Sequence, residues 1–202
     1  MKTKGHIRYR LKSGDNVPGV TTIVGMLAKP ALVRWANNLG LTGIDSARYV
    51  DDKADIGTLA HSFITNTLQG RETDTSDYSE NQIQQAQNAV RSFDNWKRPH
   101  TMEPLLIEQA LVSETYHFGG TPDLYFRVDG VLELCDLKSG KNIWPEHHIQ
   151  VSAYRQLLTE NGHDVERVRI LNIPRTRAES FQEVVLSDAA LNANWQMYYH
   201  LL

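Results

Sequence analysis

The chain has 202 residues, enough for one domain with a sizeable core. Its formal net charge of −3 excludes a protein that coats polyanions with its whole surface, yet leaves room for a local basic track. The single cysteine, Cys135, excludes an internal disulfide, and no apolar run is long enough for a membrane span, so a cytoplasmic chain without membrane contact is expected.

The segment His6 to Lys12 alternates polar and apolar types and predicts an exposed strand, ended at Ser13-Gly14-Asp15-Asn16. A short helix is expected over Val20 to Ala28. Pro30 suits the first turn of another, Ala31 to Leu39, closed by Gly40. A longer helix is predicted from Asp51 to Leu68 with Gly70 as its stop, and Arg71 to Tyr78 reads as a loop. Ser79-Glu80-Asn81-Gln82 is a capping box, followed by Ile83, Ala86, Ala89, Val90, Phe93 and Trp96 at helical spacing. The first hundred residues are thus expected to be mainly helical.

The second half changes period. Strands are predicted over Pro104 to Ser113, Thr121 to Val128 and Val131 to Leu137, the last two joined by the turn pair Asp129-Gly130. An amphipathic helix over Pro145 to Leu158 leads to strands at Val165 to Ile173 and Phe181 to Leu186. Ser187 then caps a final helix. A hairpin, a helix and further strands in this order predict an α/β fold with a mixed sheet and helices on its faces.

If Asp129 and Gly130 form a two-residue loop, Val128 pairs with Val131, and counting outward sets Asp123 opposite Asp136. Lys138, two residues beyond Asp136, shares that face. Opposed residues have Cβ atoms roughly 4.5–5.5 Å apart, and like charges there are destabilising. A hard dication between the two carboxylates removes the repulsion. The alternative is a solvated strand edge, but Val131-Leu132-Glu133-Leu134-Cys135-Asp136-Leu137 is too apolar for one, and a buried carboxylate needs a partner.

These residues resemble the PD-(D/E)XK nuclease superfamily in its RecB-like and phage-exonuclease branch. The resemblance rests on Pro122-Asp123, Asp136-Leu137-Lys138, the helical Gly57-Thr58-Leu59-Ala60-His61, a strand glutamate matched by Glu108, and Gln150-Val151-Ser152-Ala153-Tyr154. Pro18-Gly19-Val20-Thr21-Thr22-Ile23 and Trp35-Ala36-Asn37 also look like the N-terminal segment of prophage exonucleases. The resemblance implies a restriction-endonuclease-like αβββαβ core within a single nuclease domain over 1–202. Residues 1–100 would form its helical part carrying His61, and 101–202 its catalytic sheet core.

It further implies a DNA exonuclease acting on linear ends in phage or prophage recombination, in a bacterial or phage-infected cytoplasm. Its partners would be DNA, a single-strand annealing protein and further copies of the chain. Asp123, Asp136 and the Leu137 backbone carbonyl would ligate Mg²⁺ or Mn²⁺, with His61 and Glu108 as additional ligands and Glu114 as the rival to Glu108. Lys138 would orient or activate the attacking water. Gln150 and Tyr154, four apart on one helix face, would brace the catalytic strand or contact DNA, or else pack in the core. Ser139 would bind a phosphate or begin a turn.

Arg155, Lys141, Arg175 and Arg177 are candidate phosphate contacts and Trp144 a candidate stacking residue, each with an ordinary surface or core role as the alternative. Thr21 and Thr22 are expected to cap a helix. The iron–sulfur cluster of some relatives needs four cysteines and is excluded. Two other readings stay open: a structure-specific or restriction-like endonuclease on the same core, and a catalytically silent DNA-binding module.

Overall fold

The Asp129-Gly130 pair turns the chain back on itself as predicted, with φ of 49° and 87° at the two residues. Positive φ at both central positions is the turn whose twist matches antiparallel strands, and Asp-Gly is among its preferred sequences. The turn joins β6 (Leu124–Val128) to β7 (Val131–Lys138), with Val128 opposite Val131 and Leu124 opposite Cys135. The structure, a computed structural model, describes residues 7–202.

Around this hairpin the sheet grows in both directions. Strand β3 (Met102–Ile107) pairs antiparallel with β6, and β8 (Arg167–Asn172) lies parallel to β7 after a crossover through α5 (Pro145–Glu160). Strand β9 (Gln182–Leu186) closes the order β3-β6-β7-β8-β9. The α/β fold with a mixed sheet is therefore as expected. Its central strand β7 is covered on both faces, which explains its near-continuous apolar run.

Period-two alternation sends Leu134, with Tyr125, Val168 and Ile170, against α1 (Val20–Val24), α5 and α6 (Asp188–Tyr199). Cys135 and Leu137, with Leu124, Phe126 and Leu171, face α3 (Ser46–Leu68) and α4 (Glu80–Lys97). The one carboxylate of β7 that points into this second core, Glu133, is neutralised there. Arg169 Nε reaches it at 2.5 Å and Arg167 Nη1 at 3.3 Å. Burial without such partners would cost several kcal/mol.

Several boundaries differ from expectation. Helix α3 starts at Ser46 rather than Asp51, because the Asp45 carboxylate accepts the N–H groups of Ala47 and Arg48 and serves as its cap. Helix α2 (Pro30–Leu41) runs through Gly40; the left-handed residue falls at Gly43, φ 76°. Helix α1 ends at Val24, short of Ala28. Its cap is Gly19, so Thr21 and Thr22 lie within the helix and cap nothing.

The strand expected over Pro104 to Ser113 is broken at Glu108, whose φ is 47°. After the break, β4 (Leu111–Ser113) pairs with β5 (Phe118–Gly120) in a separate two-stranded sheet that the sequence pattern did not announce. Of the predicted N-terminal strand, His6 lies outside the described residues. Tyr9–Arg10 form β1, paired with β2 (Asn16–Val17), and the Tyr9 ring sits against Gly119. Among the described residues no helix is long and apolar enough to cross a membrane.

Candidate functional site

The site lies where β7 outlasts its neighbour. Pairing with β6 ends at Cys135, whereas pairing with β8 continues to Lys138. The Leu137 N–H therefore has no strand partner on the β6 side, and the Asp123 carboxylate takes that place, accepting it through Oδ2 at 2.8 Å. A strand residue directs its N–H and C=O to the same side, so the Leu137 carbonyl also faces the Asp123 edge. The hairpin register ends with Leu124 opposite Cys135, one residue short of Asp123 and Asp136. Asp123 sits in a bend just before β6 rather than in the ladder.

Asp136 is 1% exposed, and its Oδ2 lies 2.5 Å from Lys138 Nζ. That contact is one of charge rather than an oriented hydrogen bond, and Oδ2 accepts none among the described residues. The Lys138 ammonium instead donates to Gln150 Oε1 at 3.0 Å, and Gln150 Nε2 donates to the Tyr154 hydroxyl at 3.0 Å. Gln150 and Tyr154 are one turn apart on α5, which is how both line up behind a single lysine. The choice between bracing and packing is met by both: Tyr154 is a core residue and the last link of the brace.

His61 comes from α3 and holds Nδ1 3.4 Å from Asp123 Oδ1. Its approach depends on Gly57, one turn earlier. A Cβ at that position would stand 2.6 Å from Ser139 Oγ, so the bare backbone lets α3 lie against the end of β7. Gly57→Ala is expected to be tolerated by rotation of Ser139. Gly57→Val overpacks the contact and should lower stability by about 1–3 kcal/mol in urea unfolding.

The electrostatics follow from burial. Desolvation pushes the Asp136 carboxyl up to about 6, with Lys138 opposing the shift and Asp123 adding to it. Burial also pushes Asp123 upward, but His61, Lys138 and the Leu137 N–H outweigh it and hold this carboxyl below its ordinary value. Burial lowers the His61 pKa, but the Asp123 charge and hydrogen bond together with the Asp136 charge outweigh it, and the imidazole titrates above its usual value. Burial, reinforced by the Asp136 charge, pushes the Tyr154 phenol well up, so it stays neutral.

Glu108 borders the same edge, its N–H donating to the Asp123 carbonyl at 3.0 Å, while its side chain is exposed. Glu114 is tied elsewhere, its carboxylate accepting the Lys12 N–H at 3.0 Å. Among the described residues no three His, Cys, Asp or Glu side chains are gathered as a ready cation site. Lys138 and His61 stand against the carboxylates instead. The donor types still suit a hard dication: the buried Asp136 carboxylate, Oδ1 of Asp123, an imidazole nitrogen and the Leu137 carbonyl.

A cleft of about 600 Å³ opens over His61, Lys138 and Ser139. Trp144 and Arg175 line it, but Arg175 is bound to Glu179 at 2.5 Å and donates to the Lys53 carbonyl. Arg155 does not belong to it: the guanidinium pairs with Asp188 of α6 at 3.0 Å. Arg177 borders a separate depression beside Asn88 and Arg91, and Lys141 is exposed in the loop after Ser139. Trp35, Tyr49 and Lys53 of the cleft wall were missed as site residues. Tyr49, Lys53, Gly57 and His61 recur every four residues along α3, a signal that would have found two of them.

No protein-family profile matches the chain, and no curated protein matches it. Solved structures do resemble it. One is a candidate exonuclease from Eubacterium rectale, 14% identical, over 72% of this chain and 64% of that one, with a TM-score of 0.52. A second, SSO0001, is 15% identical over 98% of this chain and 79% of that one, with a TM-score of 0.41. The chain thus spans 64% of the length of the first protein, and at this identity the likeness is one of fold: a mixed α/β sheet flanked by helices.

Proposed function

We propose that the chain is a divalent-cation-dependent deoxyribonuclease of the PD-(D/E)XK type that hydrolyses phosphodiesters from the ends of linear DNA. The observation that carries this reading is the Asp136 carboxylate, 1% exposed and ion-paired at 2.5 Å with Lys138, which lines a cleft together with His61, while His61 in turn meets Asp123. A fold does not bury one carboxylate next to a second, half-buried one for stability alone. The fold shared with a candidate exonuclease supports the reading.

Asp123, Asp136, His61 and the Leu137 carbonyl would hold Mg²⁺ or Mn²⁺, with Glu108 reaching it directly or through water. When bound, the ion neutralises phosphoryl charge and makes a water more acidic. Lys138, fixed by Gln150 and through it by Tyr154, orients that water against the phosphorus or holds a phosphate oxygen. Ser139 offers its hydroxyl to the same phosphate. Because Asp123 and His61 face each other at 3.4 Å, ligation requires both to exchange that contact for the cation. An annealing protein that accepts the single strands, and further copies of the chain, are the proposed partners.

The reading is tested with end-labelled linear duplex beside covalently closed circles, in Mg²⁺ or Mn²⁺ and then in EDTA. Loss of the linear DNA alone, stopped by chelation, is the expected result. Cutting of the circles would replace the exonuclease with an endonuclease. Survival of linear duplex, circles and single strands alike, with a folded protein, would leave a DNA-binding module without chemistry.

A further inference from the structure

The Gly119-Gly120 pair of β5 lies between two tyrosines from distant parts of the chain. A Cβ at Gly120 would stand 2.7 Å from Tyr154 Cε1, and one at Gly119 would fall on the ring of Tyr9. Successive strand residues face opposite ways, so Tyr154 of α5 packs on one side of β5 and Tyr9 of β1 on the other. Tyr9 also closes over Gly19, whose Cβ would stand 3.0 Å from its Cε2. The Gly119 N–H donates to the Pro18 carbonyl at 2.9 Å. The β1–β2 hairpin is thereby laid across β5 as a strap. Neither glycine of the pair has a positive φ; what each accommodates is the close approach of a ring.

Packing alone would be served by phenylalanine at position 9. The hydroxyl has a more specific use: it shares a hydrogen bond of 3.0 Å with the Thr121 hydroxyl, across 112 residues of sequence. Thr121 is two residues from Asp123, and Pro122 between them is buried, with its φ fixed by the pyrrolidine ring. A displacement at Thr121 therefore has few backbone torsions in which to dissipate before it reaches the Asp123 carboxylate. Asp123 needs an anchor on this side. Its carbonyl accepts from Glu108 and its carboxylate from Leu137, both on the side of the main sheet, whereas Asp123 itself lies in a bend between β5 and β6. The strand before it, β5, has three residues and belongs to a separate two-stranded sheet. The two tyrosines then serve opposite ends of the site. Tyr154 backs Gln150 and Lys138, and Tyr9 backs Thr121 and Asp123.

We propose that Tyr9 is a positioning residue of this site: its hydroxyl, through Thr121, holds the Thr121-Pro122-Asp123 junction where the Asp123 carboxylate can meet the cation. The proposal rests on the nuclease reading for the cation and adds to it an outer support supplied by the N-terminal hairpin. Tyr9 acts through Thr121 and is no ligand itself. A tyrosine that only fastened the strap would affect unfolding and leave the cation affinity of the folded protein unchanged.

The test is Mn²⁺ binding without DNA, followed by titration calorimetry, beside steady-state cleavage of linear duplex. Tyr9→Phe keeps the ring on Gly119 and removes only the hydroxyl. Thr121→Val keeps the shape of the partner and removes the other hydroxyl, and it carries the same test should Tyr9→Phe fail to fold. Each is expected to weaken Mn²⁺ binding roughly tenfold, the lower end of the range for groups that hold a metal ligand in place. Together they should cost no more than either alone, since the two hydroxyls make one contact. Thr121→Ser, which retains the hydroxyl, should bind as the parent does. Cleavage by Tyr9→Phe should recover at raised Mn²⁺, with the KM for DNA unchanged. An unchanged Mn²⁺ affinity in folded Tyr9→Phe, losses that add in the double variant, or a loss in Thr121→Ser as large as in Thr121→Val would overturn the proposal. A parent that binds Mn²⁺ and cuts DNA, with Tyr9→Phe its equal in both, would strike this proposal alone. A parent that binds Mn²⁺ more tightly than Tyr9→Phe but cuts no DNA would strike the nuclease reading alone. A parent that takes up no Mn²⁺ would overturn both.

Discussion

Lys138→Ala is expected to slow DNA hydrolysis by roughly 10²–10⁴-fold while leaving DNA affinity within a few-fold of the parent, the range for losing a positioned proton-transfer or charge-stabilising group. The size of the effect comes from how firmly the ammonium is placed. Gln150 Oε1 accepts from it at 3.0 Å, Tyr154 fixes Gln150, and the buried Asp136 draws it from the other side. A lysine that served only to neutralise the strand end would be replaceable by any cation, so Lys138→Arg separates the roles. The planar guanidinium cannot repeat the compact contact with both Asp136 and Gln150, and it too should be slow. Single-turnover cleavage of end-labelled DNA reads the result. Retention of more than about a tenth of the parent rate in Lys138→Ala would remove the lysine from the proposed chemistry.

Asp136→Asn should abolish cation-dependent cleavage and, without a cation, make the protein more stable near neutral pH. Two effects compete. Removing a carboxylate leaves Lys138 without its closest anion, which by itself destabilises a buried pair. Lys138 keeps Gln150 and remains 17% exposed along the cleft, whereas Asp136 is 1% exposed. The net direction is given by the Asp136 carboxyl, which titrates at about 6 rather than 3.8 even with the ammonium beside it. Its charged form is thus the unfavourable one in the folded state.

The folded protein therefore holds the Asp136 proton more tightly than the unfolded chain does. Its contribution is fully present below about 3.8 and falls away as pH rises to about 6. The loss amounts to about 3 kcal/mol at most by linkage. His61, also raised, adds a fall of the same sign from its ordinary 6.5 upward. Asp123, lowered, contributes in the opposite sense, its stabilisation being lost as pH drops through its folded pKa. Urea unfolding in EDTA across pH 4 to 7 should show a decline in the parent that Asp136→Asn flattens. Adding Mn²⁺ at pH 7 should restore stability to the parent alone, since a ligand stabilises only the state that binds it. An identical decline in both proteins would mean that Asp136 is not the group responsible.

Much of this site is legible in the amino-acid sequence. The turn pair Asp129-Gly130 sets the register by steric preference alone, from Val128 opposite Val131 to Leu124 opposite Cys135, and the period of two then places Asp136 and Lys138 on one face. Capping chemistry locates the start of α4, and a four-residue spacing puts Gln150 and Tyr154 on one side of α5. All of these depend on residues within a turn or a hairpin of one another, where the backbone has few conformations to choose from.

What only the tertiary structure decided involves partners far apart in sequence. Glu108 ends a strand that composition alone would have carried through to Ser113: its N–H still answers the carbonyl of Asp123, but its φ of 47° turns the chain out of the sheet. Asp123 completes the ladder for Leu137 in place of β6, a role that exists only because β7 runs further than its neighbour. The cleft wall unites Trp35, Tyr49 and Trp144 from three helices, and Arg155 is drawn off to Asp188 on a helix that lies beyond the site. Local sterics write turns, caps and faces into the sequence. Which faces meet depends on how helices and sheet exclude water together, and that is settled only when the whole chain packs.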